Sequence, residues 1–224
     1  MRWFLLVALL ASGPAHAKKS APPPPPAWKC GDAVASDYSD ANSALNAGKL
    51  DEAQAGFTTV LTAEPSCGLA LVGSGRALLG LGRAADAVTP LATASSLFAD
   101  KLDAHLWLAR ARLAAGDDPG ALAAAKLAIG LKAGSVDAQK VAQQVLLHQK
   151  AYADAHQMLA TARAAANVTA WSCLEGLVYA DEGDTAHAEE MLVACQGVPD
   201  ASMYEALRSE EHTSELQSHS DLVC

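Results

Sequence analysis

Asn42, Arg76, Arg110 and Gln144 follow one another at intervals of 34 residues. Two guanidinium groups between two carboxamides can receive a carboxylate through paired N–H donation, because the planar fork of arginine matches the two oxygens of the acid. The bland reading of the same residues is a solvated column, with Arg76 and Arg110 paired to acids such as Asp103. Other chemistry is thinner. Gly73-Ser74-Gly75 with Gly80 lacks the G-x-G-x-x-G spacing, and no Lys-Ser/Thr follows it, so these glycines read as helix-packing positions. His105, His148, His156 and His187 show neither H-E-x-x-H nor an i, i+4 pair, which makes them capping or solvated side chains before zinc ligands. No G-x-S-x-G or cysteine motif singles out a nucleophile. The expectation is a chain without catalysis, metal or cofactor.

The elements that must position the Asn/Arg/Arg/Gln column are set by the same period. Gly48, Gly82 and Gly116 superpose at a shift of 34, as do Ala53, Ala87, Ala121 and Ala155, and a further copy one residue early supplies Gly183 and Ala188. A repeat of this length is one helix-turn-helix unit, too small to bury its own apolar face and therefore stacked on its neighbours. The expected fold is all-α, a right-handed superhelical solenoid of about five hairpins near residues 34–67, 68–101, 102–135, 136–168 and 169–200.

These units resemble the tetratricopeptide repeat family over about residues 34–200. The family pattern has small residues at positions 8, 20 and 27 of each unit, a large apolar residue at 24 and often Pro at 32. The first unit supplies Ala41, Ala53, Phe57, Val60 and Pro65, and the second Gly75, Ala87, Leu91 and Ala94, with Pro90 near enough to its helix start for a mild kink. The third has Ala109, Ala121, Ala125 and Ala128. Alanine at 125, where bulk is preferred, predicts a thinner core and the least secure second helix. The fourth is the weakest copy, carrying Gln143 at a small position and Lys150 in place of the turn glycine, while the fifth restores Gly176, Gly183, Ala188 and Leu192. Ser202 to Leu207 reads as the first turns of one more helix.

The resemblance implies a concave groove lined by positions 2, 5, 9, 12 and 13 of each first helix. Asn42, Arg76, Arg110 and Gln144 occupy position 9, and Tyr38, Leu69, Val72, Leu79, Leu106, Leu113 and Leu147 would form the apolar walls. The implied partner is a protein or peptide, one bearing an acidic or carboxylate group. Some relatives grip a C-terminal carboxylate with a Lys and an Asn one turn apart. Here Asn42 fits that pattern, but Tyr38 stands where the Lys would be, which argues against that class of ligand.

The ends carry other instructions. Arg2, the apolar run Trp3 to Leu10 and Ala15-His16-Ala17 make residues 1–17 a cleavable export signal. The mature chain is then expected without a membrane span and in the periplasm or another extracytoplasmic space. Residues 18–29, with Pro22 to Pro26 unbroken, read as a polyproline II linker, since proline lacks an N–H and fixes φ. Arg208 to His219, and Leu222-Val223-Cys224 after a variable gap, read as a translated sequencing adapter. Residues 208–224 are therefore expected to be foreign, leaving a solenoid domain of 30–207 whose natural continuation is hidden.

Without residues 1–17 and 208–224, which remove Arg2, Arg208, Glu210, Glu211, Glu215 and Asp221, the balance is 14 basic against 21 acidic residues. No basic stripe is available for phosphate contacts, so nucleic acid is not an expected partner. Cys30, Cys67, Cys173 and Cys195 are an even set in an exported chain. Helix ends that lie side by side in a solenoid would pair Cys30 with Cys67, and the heights of Cys173 and Cys195 about the Gly183 turn would pair those two; four small buried thiols are the alternative. Two further readings of function stand beside a groove-binding scaffold: an appendage that orients an absent catalytic or cell-wall-binding domain, and a structural spacer.

Overall fold

The computed structural model describes residues 25–166 and 169–194, which form ten α-helices after a single 3-10 turn at Asp32–Val34. They are α1 (Ala35–Asn46), α2 (Leu50–Ala63), α3 (Gly68–Gly80), α4 (Ala84–Leu97), α5 (Leu102–Ala114), α6 (Asp118–Leu131), α7 (Val136–His148), α8 (Tyr152–Ala165), α9 (Ala170–Glu182) and α10 (Thr185–Val193). Residues 1–24, 167, 168 and 195–224 lie outside this set. They include the export signal, most of the proline-rich linker, Cys195, the helix expected from Ser202 and the adapter-like tail.

Each hairpin closes in the same way. Gly48, Gly82, Gly116 and Gly183 have φ of 73°, 73°, 78° and 89°, the left-handed region that only glycine enters without a steric penalty. The next residue sends its N–H back five positions, Lys49 to Ala44, Arg83 to Leu78, Asp117 to Arg112 and Asp184 to Tyr179, at 2.8 to 2.9 Å. This satisfies a carbonyl that the end of the helix leaves orphaned. The fourth hairpin makes the identical turn with Lys150 at φ 54°, and Ala151 donates to Leu146. The backbone thus keeps the period that the side chain breaks, at a cost of about 1 kcal/mol for a residue with a Cβ.

The small and large positions interlock across the helix crossings. Ala53, Ala87, Ala121 and Ala155 are fully buried, and so are Phe57, Leu91 and Ala125, with Leu159 at 1 %. A Cβ added at Gly75 would sit 2.3 Å from Leu91 Cγ, and one at Gly73 would sit 2.4 Å from Phe57 Cζ. Glycine is what lets each large side chain lie directly on the facing backbone. The helix α4 runs unbroken through Pro90. In α6 the fully buried residues are all alanine, Ala121, Ala124, Ala125 and Ala128, with Leu122 and Ile129 half-buried against the core, and its start is capped by Asp117, whose carboxylate accepts from the Gly120 N–H at 3.0 Å.

The odd-numbered helices touch one another down the stack, α1 on α3, α3 on α5, α5 on α7 and α7 on α9, and from α3 onward each also packs on the even helix before and the even helix after it. They form the inner layer of the solenoid. At its first edge the chain runs alongside the start of α3: Gly68 and Leu69 donate to the carbonyls of Ala27 and Trp28 at 2.9 Å, and Cys30 is disulfide-bonded to Cys67. Trp28 meets Phe98 edge-on with ring centroids 5.4 Å apart. The packed unit therefore takes in Ala27 to Lys29, which the sequence assigned to the linker. Cys173 is also disulfide-bonded and is buried; Cys195, the partner expected for it, is not among the described residues.

Candidate partner-binding groove

Arg76 on α3 and Arg110 on α5 are half-buried on the inner layer, and one tryptophan joins them. The Arg76 Cζ lies 5.0 Å and the Arg110 Cζ 4.6 Å from the centroid of the Trp107 ring. The negative π face of an indole attracts a guanidinium and holds it without consuming its N–H donors. The two cations are then within about 10 Å of each other on a shared support. Trp107, which lies at position 6 of its unit, has no role in the sequence reading. The available signal was its i, i+3 spacing to Arg110, which puts both on one helix face.

The two arginines differ in their other contacts. Arg110 donates to the carboxylate of Asp137 at 2.8 Å, the first turn of α7 reaching back to α5. The acid is thus Asp137, at position 2 of the fourth unit, and not the Asp103 considered from sequence. Arg76 has no carboxylate partner among the described residues. Its charge is felt by Tyr38, where burial pushes the phenol above its ordinary value and the guanidinium pulls it back. Tyr38 also lies 6.1 Å from Phe57, ring centre to ring centre.

Of the other expected lining residues, Tyr38, Leu69, Leu79, Leu113 and Leu147 are half-buried, packed on the core with one side left open. Val72 and Leu106 are not groove walls. They are 6 % and 5 % exposed and belong to the central core, because the inner helices sit close enough for position 5 to be consumed between them. Gln144 is exposed and, with Arg110, lines a pocket of about 480 Å³ between α5, α7 and α9, whose apolar walls include Leu113, Val141, Leu147, Leu174 and Leu177. Asn42 is half-buried on α1, at the far end of the column. The structure thus gathers Arg76, Arg110 and Gln144 toward α5 and α7, while nothing draws Asn42 into contact with them.

The histidines have structural partners. His105, 4 % exposed, places Nε2 2.9 Å from the Ala99 carbonyl. A carbonyl only accepts, so the proton is on Nε2, and Nδ1 accepts from the Ser95 hydroxyl at 2.8 Å. His148 faces Asp118, His156 faces Glu175 and Glu182, and His187 faces Asp184. Among the described residues no group of three or more His, Cys, Asp or Glu side chains is placed to hold a metal ion. No described helix is long and apolar enough to cross a membrane.

A family model described as "Tetratricopeptide repeat" matches residues 38–95 and 75–136. No curated protein matches the chain in sequence. Among solved structures, the MamA protein is 19 % identical with a TM-score of 0.62, over 72 % of this chain and 89 % of that one. YrrB, described as a TPR protein with an unusual peptide-binding site, is 17 % identical with a TM-score of 0.58, over 76 % and 90 %. A tetratricopeptide repeat protein from Parabacteroides merdae ATCC 43184 is 13 % identical with a TM-score of 0.67, over 80 % and 72 %. At these identities the likeness concerns the fold, and it extends to hairpins beyond the matched repeats. With the glycine turns and the small-on-large crossings described above, residues 38–136 belong to the tetratricopeptide repeat family and the hairpins that follow continue the same solenoid.

Proposed function

We propose that the chain is a non-catalytic interaction module of the cell envelope whose inner face holds an acidic segment of a protein partner. The observation that carries this is Arg76, a half-buried cation seated on Trp107 with no carboxylate partner among the described residues. Its N–H donors are oriented and unspent, and a carboxylate of the partner completes them. Arg110, one repeat further on, offers a second cation once the partner competes with Asp137. The solved structure described as having a peptide-binding site on this fold agrees with the reading in kind.

The reading of residues 1–17 as an export signal supports a place outside the cytoplasm, and the Cys30–Cys67 disulfide is in keeping with an oxidising compartment. Recovery of both cysteines as free thiols from intact cells, quenched by alkylation, would overturn that placement.

The binding test uses Arg76→Glu, alone and with Arg110→Glu, in pull-downs from envelope extract and in titrations of any partner so identified. Loss of one charge-assisted bidentate contact should weaken binding by about 10- to 100-fold, with the helical circular dichroism unchanged. Unaltered capture by the folded double variant would remove the groove from the mechanism.

A further inference from the structure

We infer that the pocket between α5, α7 and α9 is a specificity pocket for a large apolar side chain that lies two positions from an acidic residue in the partner. The inference rests on the acidic-segment reading and adds a second requirement to it. Its basis is adjacency: Arg110 is at once a support-bound cation, 4.6 Å from the Trp107 centroid, and part of the pocket wall. At about 480 Å³ the pocket falls within the roughly 300–1,000 Å³ of ordinary ligand sites. Its walls are dominated by leucine and valine from three helices, and its charged members, Arg110, Asp137 and Lys140, belong to α5 and α7 alone. Leucine side chains left facing such a hollow gain from being covered by an apolar group, and Arg110 in its wall offers a partner to a neighbouring acid.

The geometry sets the spacing. In an extended peptide, side chains i and i+2 point the same way about 7 Å apart, and i+1 points away. An acidic residue that displaces Asp137 from Arg110 therefore leaves the residue two positions away within reach of the pocket that Arg110 lines. A second acid two positions away on the other side falls toward Arg76, which stands within about 10 Å of Arg110. The partner is thus an extended segment with one or two acids at alternate positions and Leu, Ile, Phe or Trp at the next alternate position, in either chain direction.

The experiment is selection of a phage-displayed library of random dodecapeptides on the full chain, followed by titration of the enriched synthetic peptides. It is run in parallel on Leu177→Gln, on Leu147→Gln and on Arg76→Glu. The expected result is enrichment of acids with a large apolar residue two positions away. Replacing that residue by Ala, or using Leu177→Gln or Leu147→Gln, then weakens binding by about tenfold or more. Circular dichroism of both pocket variants checks that α7 and α9 remain folded, and having two variants on different helices keeps a misfolded one from deciding the matter. Acidic peptides selected without any apolar preference, and indifferent to both pocket variants, would overturn the pocket while leaving the arginine reading intact. Peptides selected with no acids and no sensitivity to Arg76→Glu, or no enrichment at all, would overturn both. A concentration-dependent dimer that Leu177→Gln dissolves would assign the pocket to a second copy of this chain and also overturn the proposal.

Discussion

Two glycines in this chain do opposite things, and the difference lies in what their missing Cβ would meet. At Gly75 on α3 a methyl group would lie 2.3 Å from Leu91 Cγ, whereas at Gly130 on α6 nothing lies within 4 Å. Gly75→Ala should therefore destabilise the domain by about 1–3 kcal/mol, because overpacking outweighs the gain in helix propensity. Gly130→Ala should stabilise it by about 0.5–1 kcal/mol, since only the propensity changes. Urea melts of the two variants check this, and a stabilised Gly75→Ala would mean that Leu91 finds another rotamer at little cost. The family resemblance gave Gly75 its place as a small position. Gly73, which lies under Phe57 across the boundary between the first and second units, reads from sequence only as a helix-packing glycine, because its partner comes from another repeat.

Among the helices, α10 depends most visibly on titrating side chains. Its first turn is held by Asp184, whose carboxylate accepts from the His187 N–H at 3.2 Å and lies 2.6 Å from the same residue's Nδ1. The hydrogen bond to Asp184, and then its charge, raise His187 above its ordinary value of 6.5. The hydrogen bond from the His187 side chain, and then that from its backbone N–H, lower Asp184 below 3.8. The contribution of a raised histidine is complete below 6.5 and fades as pH rises through the folded value. That of a lowered carboxylate is complete above 3.8 and fades as pH falls through its folded value. The helix is thus best capped between these limits and frays first on the alkaline side. An NMR titration should show His187 protonating above 6.5 and amide exchange in α10 rising along the same curve beyond that expected from hydroxide alone. A His187 that titrates at or below 6.5 would remove the cap from the account. Both groups are exposed, and the same capping pair can be read from Asp184 and His187 at N-cap and N3 spacing once the Gly183 turn is placed.

For the molecule as a whole, stacking by nearest neighbours means that damage at one end stays there. The Cys30–Cys67 disulfide closes a separation of 37 residues and holds Ala27 and Trp28 over the first N–H groups of α3. Its removal should cost the first repeats about 3–4 kcal/mol in the chain-entropy view. With Cys30→Ser and Cys67→Ser together, hydrogen exchange should accelerate in α1 to α3 and remain as before in α7 to α9. Equal acceleration throughout would mean that the solenoid unfolds as one unit. The separation of the core into three clusters, around Phe57, Leu91 and Leu159, favours the graded outcome.

The glycine turns, the buried alanine column and the period itself were determined by sequence alone, because a backbone in the left-handed region and a close helix crossing each demand one residue type at one place. Lys150 marks the limit of that rule: the same turn forms there without glycine, so at the fourth hairpin the fold and not the local residue sets it. The binding surface depended on tertiary structure. Whether a position 5 residue lines a groove or vanishes into the core, as Val72 and Leu106 do, is decided by how near the inner helices approach one another. The seating of Arg76 on Trp107, and the pairing of Arg110 with Asp137, join residues from different repeats, and no local pattern records a contact made between helices.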